Sequence, residues 1–525
     1  MRKLIVCLTI CLCATVVNVK AQSKVFQEVN EDISSEMKII TQDEALVGYL
    51  VFTQLEKASE DSFNYKITLM DENLNDIGTV NFREEKLDLD AVSFEQDILC
   101  LAYLKSNING KVFKNRKEYN AFDAKNAIFT QFLTLDGKII KTNTNNISLK
   151  SADYELWASP RSKFTYYGGL THRIQLKNIS QKGFACFYGD KDGCNLISYD
   201  LTGKELWKKS ISEEQAYSLL TSKADIYLLQ KVKEKYYEGG YSLLSYNAAD
   251  GKAYDKIALN DKEGNSLKVL SFANDPVTGT PYLSGSIIDQ DKGNNISNGK
   301  QLAKGPYSGV FVMDVKGHTK TDIKQTFTYW GDGSQKPAIS KRGYISDAKS
   351  YAIMTSSFRD YNGNTYFTGS EFVKKAKIGS IVSSIIFLPL VTVTPIILAV
   401  SGTTKCKVTD VALMKLNPKG SLSFETEIPC EDSKYLRGVF PLNGFLNQRS
   451  FYSVDNANTK ANYMIVDDSK NIMIYNVNQK KIVRTVPHKD GKIRTYIFPA
   501  KEGHIMVVEN NKKEKYTRLS IEALN

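Results

Sequence analysis

The sequence predicts an all-β protein, and within that class a β-propeller of about seven or eight four-stranded blades. Short runs of β-branched and aromatic residues, separated by Asn, Asp and Gly, fill the chain, and such runs are typical of strands and turns. Aromatic residues make up 11% of the chain. Hairpin turns of one kind recur about every 60 residues, which is the spacing of a repeat architecture. Two or three β-sandwich domains in series are the alternative.

Residues 195–211 show the recurring hairpin most clearly. An apolar strand ends at Asp200, Gly203 supplies the positive φ that the turn needs, and a second strand begins at Lys204. The same succession recurs along the chain, and its Asp or Asn residues are Asp71, Asp136, Asn247, Asp314, Asn417 and Asn476. Each occurrence predicts one tight hairpin.

Another pair of apolar runs precedes the hairpins, for example 174–176 and 184–188. Each unit is therefore predicted to contain four short strands. Because a lone four-stranded meander cannot bury both of its faces, the units must stack, and radial stacking leaves only short, protected edges. Residues 494–520 supply three strands, so we expect a strand from the N-terminal region to complete that blade and close the ring. The prediction is a single domain over residues 22–525.

Residues 1–21 have the pattern of a secretory signal peptide. Arg2 and Lys3 give a positive start, residues 4–17 are apolar without a charge, and small residues precede a cleavage position after Ala21. The apolar run is shorter than the roughly 20 residues that a transmembrane helix needs. The sequence therefore predicts export through a signal peptide, to the periplasm or to the cell surface.

The basic residues are spread along the chain. The net charge is +11, but no dense basic run lies beside aromatic residues. Proteins that bind nucleic acid typically use such runs. The sequence therefore predicts no nucleic-acid partner.

The cysteines are few. Those that follow the predicted signal peptide form no C-x-x-C pair, and they are Cys100, Cys186, Cys194, Cys406 and Cys430. This sparse, odd set argues against a disulfide framework. Cys186 and Cys194 flank a predicted turn at residues 189–193, and a disulfide across that hairpin is the alternative to free thiols.

Residues 374–407 contain an apolar insert. No charged residue occurs from position 378 to position 404, and lysines flank the run on both sides. By hydropathy the run qualifies as a membrane span. A span would, however, separate the strands around Tyr366 and Val411, which should belong to one blade. Two prolines also interrupt the run, and a helix interior resists proline.

A broken shape is therefore predicted for the insert. Its halves, 378–388 and 390–400, would each be about 16 Å long as helices, which is near half the thickness of a bilayer core. A hairpin could then dip into one leaflet with the flanking lysines among the headgroups. The predicted membrane or partner contact at its tip consists of Phe387, Leu388, Pro389 and Leu390. The alternatives are an insert that folds over the propeller or into a subunit contact, and a single-pass helix.

Signals of catalysis and of metal binding are poor. The histidines lie far apart, without an H-E-x-x-H motif or a pair at ligand spacing, and are His172, His318, His488 and His504. No G-x-S-x-G elbow, phosphate-binding loop or Rossmann glycine pattern occurs. The acidic loops 190–193 and 289–294 lack the ligand register of an EF-hand. We therefore predict no cofactor and no metal site, and the sequence leaves any catalytic residues unknown.

The hairpin pattern of residues 200–204 and 314–317 resembles that of β-propellers in general. The whole chain is similar to an uncharacterised family of exported bacterial proteins of unknown activity. Because these motifs occur in many propellers, the resemblance implies a fold rather than a function.

We expect a binding or scaffold module of the cell envelope, whose loops contact a protein or glycan partner, peptidoglycan included. Two alternatives stay open. One is a secreted enzyme that acts on a carbohydrate or another polymer, and the other is an envelope protein that the insert holds in peripheral contact with a membrane. A central cluster of two or more carboxylates beside an aromatic platform would favour the enzyme. Such carboxylates would converge from different blades and leave no local pattern.

Overall fold

The structure is a computed structural model that describes most of the chain. The described residues are 22–27, 34–59, 61–107, 116–148, 174–211, 216–233, 238–289, 303–376, 404–435 and 449–524, apart from 44, 124, 191–192, 334, 336, 432, 457–458, 489–492, 502 and 512. The predicted signal peptide, residues 1–21, lies outside them. So does the segment 377–403 with most of the predicted insert. The signal peptide and the conformation of the insert therefore stay predictions.

Strands account for nearly all of the described secondary structure. In chain order they are β1 (Gln22–Gln27), β2 (Ser34–Gln42), β3 (Ala45–Lys57), β4 (Ser62–Asp71), β5 (Asp76–Glu85), β6 (Leu87–Glu95), β7 (Ile98–Ser106), β8 (Asn126–Thr134), β9 (Ile139–Ile147), β10 (Gln175–Ile179), β11 (Gly183–Asp190), β12 (Gly193–Asp200), β13 (Glu205–Ile211), β14 (Ala216–Ser222), β15 (Asp225–Lys233), β16 (Glu238–Asn247), β17 (Ile257–Leu259), β18 (Leu267–Asn274), β19 (Pro281–Ile288), β20 (Tyr307–Val315), β21 (Ile323–Tyr329), β22 (Tyr344–Ile345), β23 (Ser350–Arg359), β24 (Thr365–Ala376), β25 (Thr404–Leu416), β26 (Leu422–Ile428), β27 (Lys434–Tyr435), β28 (Ser450–Asn456), β29 (Ala461–Asp467), β30 (Asn471–Asn476), β31 (Lys481–Pro487), β32 (Ile493–Pro499), β33 (His504–Asn511) and β34 (Tyr516–Ala523). The other described elements are one short helix, α1 (Arg116–Ala121), and a 3-10 turn at Lys320–Asp322.

In the described part of the chain these strands form eight sheets, each an antiparallel meander. Blades 1 to 5 are β2–β5, β6–β9, β10–β13, β14–β17 and β18–β21. Blade 6 is β23–β26, with the two-residue strands β22 and β27 paired to β23 and β25. Blade 7 is β28–β31, and blade 8 is β32–β34 with β1. The first strands of successive blades contact one another around the ring, from β2 and β6 to β28 and β32, and are therefore the innermost. The propeller prediction is confirmed, with eight blades.

Strands from distant parts of the chain close the ring in blade 8. β1 pairs antiparallel with β34, with Gln22 opposite Ile521 and Gln27 opposite Tyr516. Blade 8 therefore takes its outermost strand from the N-terminal region, as the sequence analysis expected. Separate β-sandwich domains, the alternative architecture, are excluded because each blade is a single sheet that packs against the next blade.

The apolar core lies between neighbouring blades. Between blades 1 and 2, the ring of Phe52 lies 5.2 Å from that of Tyr65 and 5.4 Å from that of Tyr103, between centroids. Between blades 2 and 3, the rings of Phe132 and Tyr199 are 5.4 Å apart. All five side chains are buried, and burial of one large apolar side chain stabilises a fold by about 1.5–3 kcal/mol. The many aromatic residues of the sequence thus join the blades.

Several of the recurring Asp and Asn residues accept hydrogen bonds from the backbone amides of their own turns, as Asp200 and Asn417 show. Asp200 Oδ1 accepts hydrogen bonds from the backbone N–H groups of Thr202 and Lys204, both at 2.9 Å. Gly203 lies between them with φ 78°, and a Cβ atom there would lie 2.6 Å from an aromatic ring of blade 2. In blade 6, Asn417 accepts the equivalent two bonds at 3.0 and 2.9 Å. Either side chain can therefore fix the turn.

The disulfide considered between Cys186 and Cys194 is wrong, because both are buried free thiols. Cys186 in β11 lies opposite Ile197, whereas Cys194 in β12 lies opposite Gly189. Successive side chains of a strand point to opposite faces, and directly opposed residues of a pair share a face. As a result, Cys186 packs towards blade 2 and Cys194 towards blade 4.

The two ends of the propeller differ in the length of their connections. In each antiparallel blade, the connections from first to second strand and from third to fourth strand lie at one end, here called the turn end. The connections from second to third strand and those that lead to the next blade lie at the other, the loop end. At the turn end the longest connection between described strands is 248–256. The loop end has the long ones, which include 148–174, 289–306, 377–403 and 429–449.

The segment 377–403 connects two paired strands of blade 6 at the loop end. In the β24–β25 pair, Tyr366 lies opposite Lys415, and the last pair before the segment is Ala376 and Thr404. The strands on either side are therefore neighbours in one sheet. No helix among the described residues is long and apolar enough to cross a membrane.

Candidate functional site

At the turn end, one buried carboxylate connects three blades. Glu95, the last residue of β6, is 1% exposed. Its carboxylate accepts hydrogen bonds from Asn178 Nδ2 at 2.9 Å, from the Gln181 N–H at 3.1 Å and from Gln42 Nε2 at 3.4 Å. The donors lie in blades 1 and 3 and Glu95 in blade 2. We call this group the Glu95 node, and its chemistry is that of a structural link.

A second turn-end link is a buried ion pair between blades 5 and 6. Arg359 Nη1 lies 2.8 Å from Asp275 Oδ2, and its Nη2 lies 2.7 Å from Asp314 Oδ1. The guanidinium also lies 4.3 Å from the ring centroid of Tyr282. Burial by itself would raise the pKa of Asp275, but the bonds from Arg359 and from two turn amides outweigh it and lower this pKa. The arginine is thus held by charge on two sides.

A Ser, a His and an Asp meet between blades 4 and 5. His318 Nδ1 lies 3.0 Å from Ser245 Oγ, and its Nε2 lies 3.3 Å from Asp225 Oδ2. These residue types can form a nucleophilic triad. Here, however, Ser245 is 3% exposed, and the ring of Tyr254 stacks on His318 at 3.6 Å between centroids. A substrate carbonyl has no access to the hydroxyl, so the group clamps one blade to the next.

The innermost strands mix charges of both signs where they are exposed. Neighbouring blades cover both faces of these strands, so their exposed side chains reach the central channel or its mouths. The exposed residues on the described innermost strands are Glu36, Lys177, Ser450, Asp455, Arg494 and Tyr496. They do not form the cluster of carboxylates that the enzyme alternative requires.

At the loop end of blade 6, a buried carboxylate is only half satisfied. Glu371 in β24 is 2% exposed. Its Oε2 accepts a hydrogen bond from Ser350 Oγ at 2.7 Å, and its Oε1 has no hydrogen-bond partner in the part of the chain that the structure describes. Burial, together with the carboxylates of Glu427 and Asp410, raises the pKa of Glu371 to about 7 against the lowering effect of the bond from Ser350. We call these residues the Glu371 node.

Blade 7 has a histidine–carboxylate pair at the loop end. His488 Nε2 lies 2.8 Å from Asp467 Oδ1. Burial raises the pKa of Asp467, and His488 partly opposes that rise. The neighbouring Asp468 is buried and uses Oδ1 to accept two amides of its own turn. Within the described ranges, no group of three or more His, Cys, Asp or Glu residues could hold a metal ion.

The predicted contact residues of the insert lie outside the described residues, and they are Phe387, Leu388, Pro389 and Leu390. The structure brings together instead three groups that the sequence analysis did not find. Their members are 73 residues apart for His318 and Ser245, 83 for Glu95 and Asn178, and 84 for Arg359 and Asp275. Contacts of this separation leave no short motif.

The chain belongs to a family of unknown function (DUF6770). The family model matches residues 1–428, which end with the outermost strand of blade 6. The description of the family names no activity, and the predicted export stays a prediction. No curated protein matches the chain.

Solved structures that are similar to the chain include propellers with very different sequences. The Dos1 propeller has a TM-score of 0.40 at 9% identity over 95% of both chains. The WD40 domain of SCAP from fission yeast has a TM-score of 0.39 at 8% identity, over 95% of this chain and 98% of that one. Apo AztD from Citrobacter koseri has a TM-score of 0.38 at 9% identity, over 90% and 95%. The assignment of the fold rests on the strand pairing described above.

Proposed function

We propose that this member of the family is a binding module without catalytic activity, and that it recognises a protein or glycan partner of the cell envelope through its loop end. One observation carries the proposal. Short, hydrogen-bonded turns close one end of the ring, whereas the long connections, 289–306 and 377–403 among them, all depart from the other. Binding residues concentrate on loops that a rigid scaffold holds in position.

The chemistry of the described residues supports a module over an enzyme. The exposed positions of the innermost strands carry Lys177 and Arg494 as well as Asp455. The combination of His318, Ser245 and Asp225 is closed to substrate by burial and stacking. Neither the exposed positions of the innermost strands nor the group around His318 pairs an accessible nucleophile or acid with a positioned base.

We assign the main contact to the segment 377–403. It belongs to the longest connections between described strands, and positions 378–404 carry no charge. Four apolar or proline residues stand at its centre, and they are Phe387, Leu388, Pro389 and Leu390. An apolar contact that a polar rim surrounds is the usual core of a protein interface.

The test replaces residues 377–403 by Asn-Gly. Because Ala376 and Thr404 are already paired, a two-residue turn should close this hairpin and leave the strands unchanged. A photo-crosslinking residue at position 388 should give a discrete adduct in cells that export the protein. The Asn-Gly variant should melt at the temperature of the wild type and lose the partner found in that adduct.

The control crosslinker stands at position 277. Val277 is 63% exposed in a turn-end connection of blade 5, and it should give no discrete adduct. Equal adducts from positions 277 and 388, or a partner that the Asn-Gly variant retains, would contradict the assignment.

In the same cells, deletion of residues 1–21 should keep the protein in the cytoplasm, and export without them would contradict the predicted signal.

The absence of charge from position 378 to position 404 favours a second candidate function, which is peripheral contact with a membrane. Flotation with vesicles of neutral and anionic phospholipid separates the two. A wild-type protein that floats, beside an Asn-Gly variant that does not, would support the membrane contact. A wild-type protein that stays at the bottom but forms the adduct would support the binding module.

A further inference from the structure

The Glu371 node combines deep burial with incomplete hydrogen bonding. Glu371 is 2% exposed, and Oε1 has no hydrogen-bond partner among the described residues. Its single bond comes from a neutral donor, the hydroxyl of Ser350 on β23. A buried carboxylate is tolerated when it is paired or bonded at both oxygens, and otherwise it takes up a proton.

The charged groups around Glu371 do not neutralise it. Asp410 on β25 and Glu427 on β26 are both carboxylates, and each disfavours the ionised form of Glu371. Arg449, at the start of blade 7, donates to the backbone oxygens of Thr409 at 2.7 Å and Asp410 at 3.2 Å. In the part of the chain that the structure describes, no basic side chain lies within salt-bridge distance of Glu371.

Arg449 lies on the other face of the sheet. Its Nη1 lies 3.4 Å from Ser370 Oγ, and successive residues of a strand point to opposite faces. Lys374 on β24 lies over the ring of Tyr351, with Nζ 3.7 Å from the centroid. Neither cation is therefore placed to pair with the carboxylate of Glu371.

We propose that Glu371 is a proton-operated switch at the loop end of blade 6. With its carboxyl group protonated, the ends of β24 and β25 stay packed. When the proton leaves for water, the carboxylate needs hydration, and these strand ends open to admit it. The opening lies at the base of the segment 377–403, since Ala376 and Thr404 form the last pair. The switch does not depend on what the loop end binds.

The sign of the pH dependence follows from the direction of the shift. Burial raises the pKa of Glu371 from its ordinary 4.5 to about 7. Between these two values the packed state holds a proton that the open state has lost, so a rise in pH favours opening. Below the ordinary value and above the raised one, the equilibrium stays constant. The expected change in the opening equilibrium between pH 5.5 and pH 8 is about 30-fold.

Amide hydrogen exchange of the full-length protein measures the opening. Peptides from residues 371–376 and 404–410 are compared at pH 5.5 and pH 8, after correction for the intrinsic exchange rate. The wild type should lose protection by about 30-fold at the higher pH, and Glu371→Gln should show no such loss. Equal protection of the wild type at both values, or the same loss in Glu371→Gln, would overturn the proposal.

Two further variants keep the test decisive. Glu95→Gln changes an equally buried glutamate at the opposite end of the molecule, and it should leave the loss of protection in β24 and β25 unchanged. Asp410→Asn removes one of the repelling carboxylates and should move the midpoint of the loss to lower pH. A midpoint that Asp410→Asn leaves in place, or that Glu95→Gln moves equally, would count against the switch.

Discussion

Glu95 at the turn end and Glu371 at the loop end are equally hidden from solvent but differ in their partners. Their exposed fractions are 1% and 2%. Three donors from two neighbouring blades bind the carboxylate of Glu95. Glu371 has one bond and an oxygen without a hydrogen-bond partner in the described part of the chain. The same residue type thus stabilises one end and destabilises the other.

The two glutamates show at which end this fold leaves a buried carboxylate without its full set of hydrogen bonds. Loss of water from a polar group has to be offset by hydrogen bonds within the protein. The turn end meets this demand with links between blades at Glu95, Arg359 and His318. The loop end, from which the long connections depart, meets it incompletely at Glu371. Buried polar groups with incomplete hydrogen bonding are expected at functional sites rather than at purely structural contacts.

The largest effect is expected from Arg359→Met at the turn end. The substitution leaves Asp275 and Asp314 without their common cation. Removal of one partner from a buried ion pair costs about 3–5 kcal/mol. Urea unfolding at pH 7 should show a loss of this size, and Arg359→Lys should lose less because it keeps the charge.

The pH dependence of the same variant has a definite sign. The pKa of Asp275 is raised by burial but lowered overall by Arg359 and the turn amides. Its contribution to stability is therefore present above the ordinary pKa of an aspartate and is lost as the pH falls through the lower, folded value. The gap between wild type and Arg359→Met should narrow in acid. A gap that is the same at pH 7 and pH 3 would contradict the ion-pair account.

Glu95→Ala should have the next largest effect. It removes the common acceptor of three partly buried hydrogen bonds, from Asn178, Gln181 and Gln42, and the loss of such bonds to a charged group should cost about 2–3 kcal/mol. Glu36→Ala on an exposed position of β2 is the matched control and should change stability little. If both variants unfold at the same urea concentration, Glu95 is not a link between the blades.

Glu371→Gln should act in the opposite direction. Its unfolding free energy at pH 8 should exceed that of the wild type, by at most about 3 kcal/mol, because an ionised buried group is removed. The pKa of Glu371 is raised to about 7 by burial, so the gain should fade as the pH drops towards 4.5. A variant that is less stable than the wild type at pH 8 would make the two glutamates alike and refute the contrast.

The sequence predicted those features that arise within one hairpin or one blade. The turn at Asp200 follows from an acceptor side chain and a glycine a few residues apart, and four strands per unit follow from the alternation of apolar runs. The closure of blade 8 by β1 followed from a shortage of one strand at the C-terminal end. These inferences need only local chemistry and the requirement that both faces of a sheet be covered.

The features that failed or were missed depend on which face a side chain takes and which blade it meets. The distance in sequence between Cys186 and Cys194 suited a bridge, but the register of β11 and β12 places them on opposite faces. The partners of Glu95 and Arg359 lie 83 and 84 residues away. Such residues meet only because two blades pack against each other, and a single sequence does not reveal that packing.

The smallest effect is expected inside a single turn. Asp200→Ala removes two backbone hydrogen bonds at 2.9 Å and one from the hydroxyl of Thr202 at 2.7 Å, all within one hairpin, and it should cost about 1 kcal/mol. Asp200→Asn should be close to the wild type at pH 7, because Asn417 already makes the equivalent bonds without a charge. Urea unfolding of the three proteins measures both differences.

At acid pH the wild type and Asp200→Asn should differ in their unfolding free energies. Burial raises the pKa of Asp200, but the hydroxyl of Thr202 and the amides of Lys204 and Thr202 lower it overall. The wild type therefore loses this contribution as the pH falls through the folded value, whereas Asp200→Asn does not titrate. If Asp200→Asn is as damaging at pH 7 as Asp200→Ala, charge rather than geometry fixes the turn. The asparagines at positions 247, 417 and 476 would then hold their turns less firmly than Asp200 holds its own.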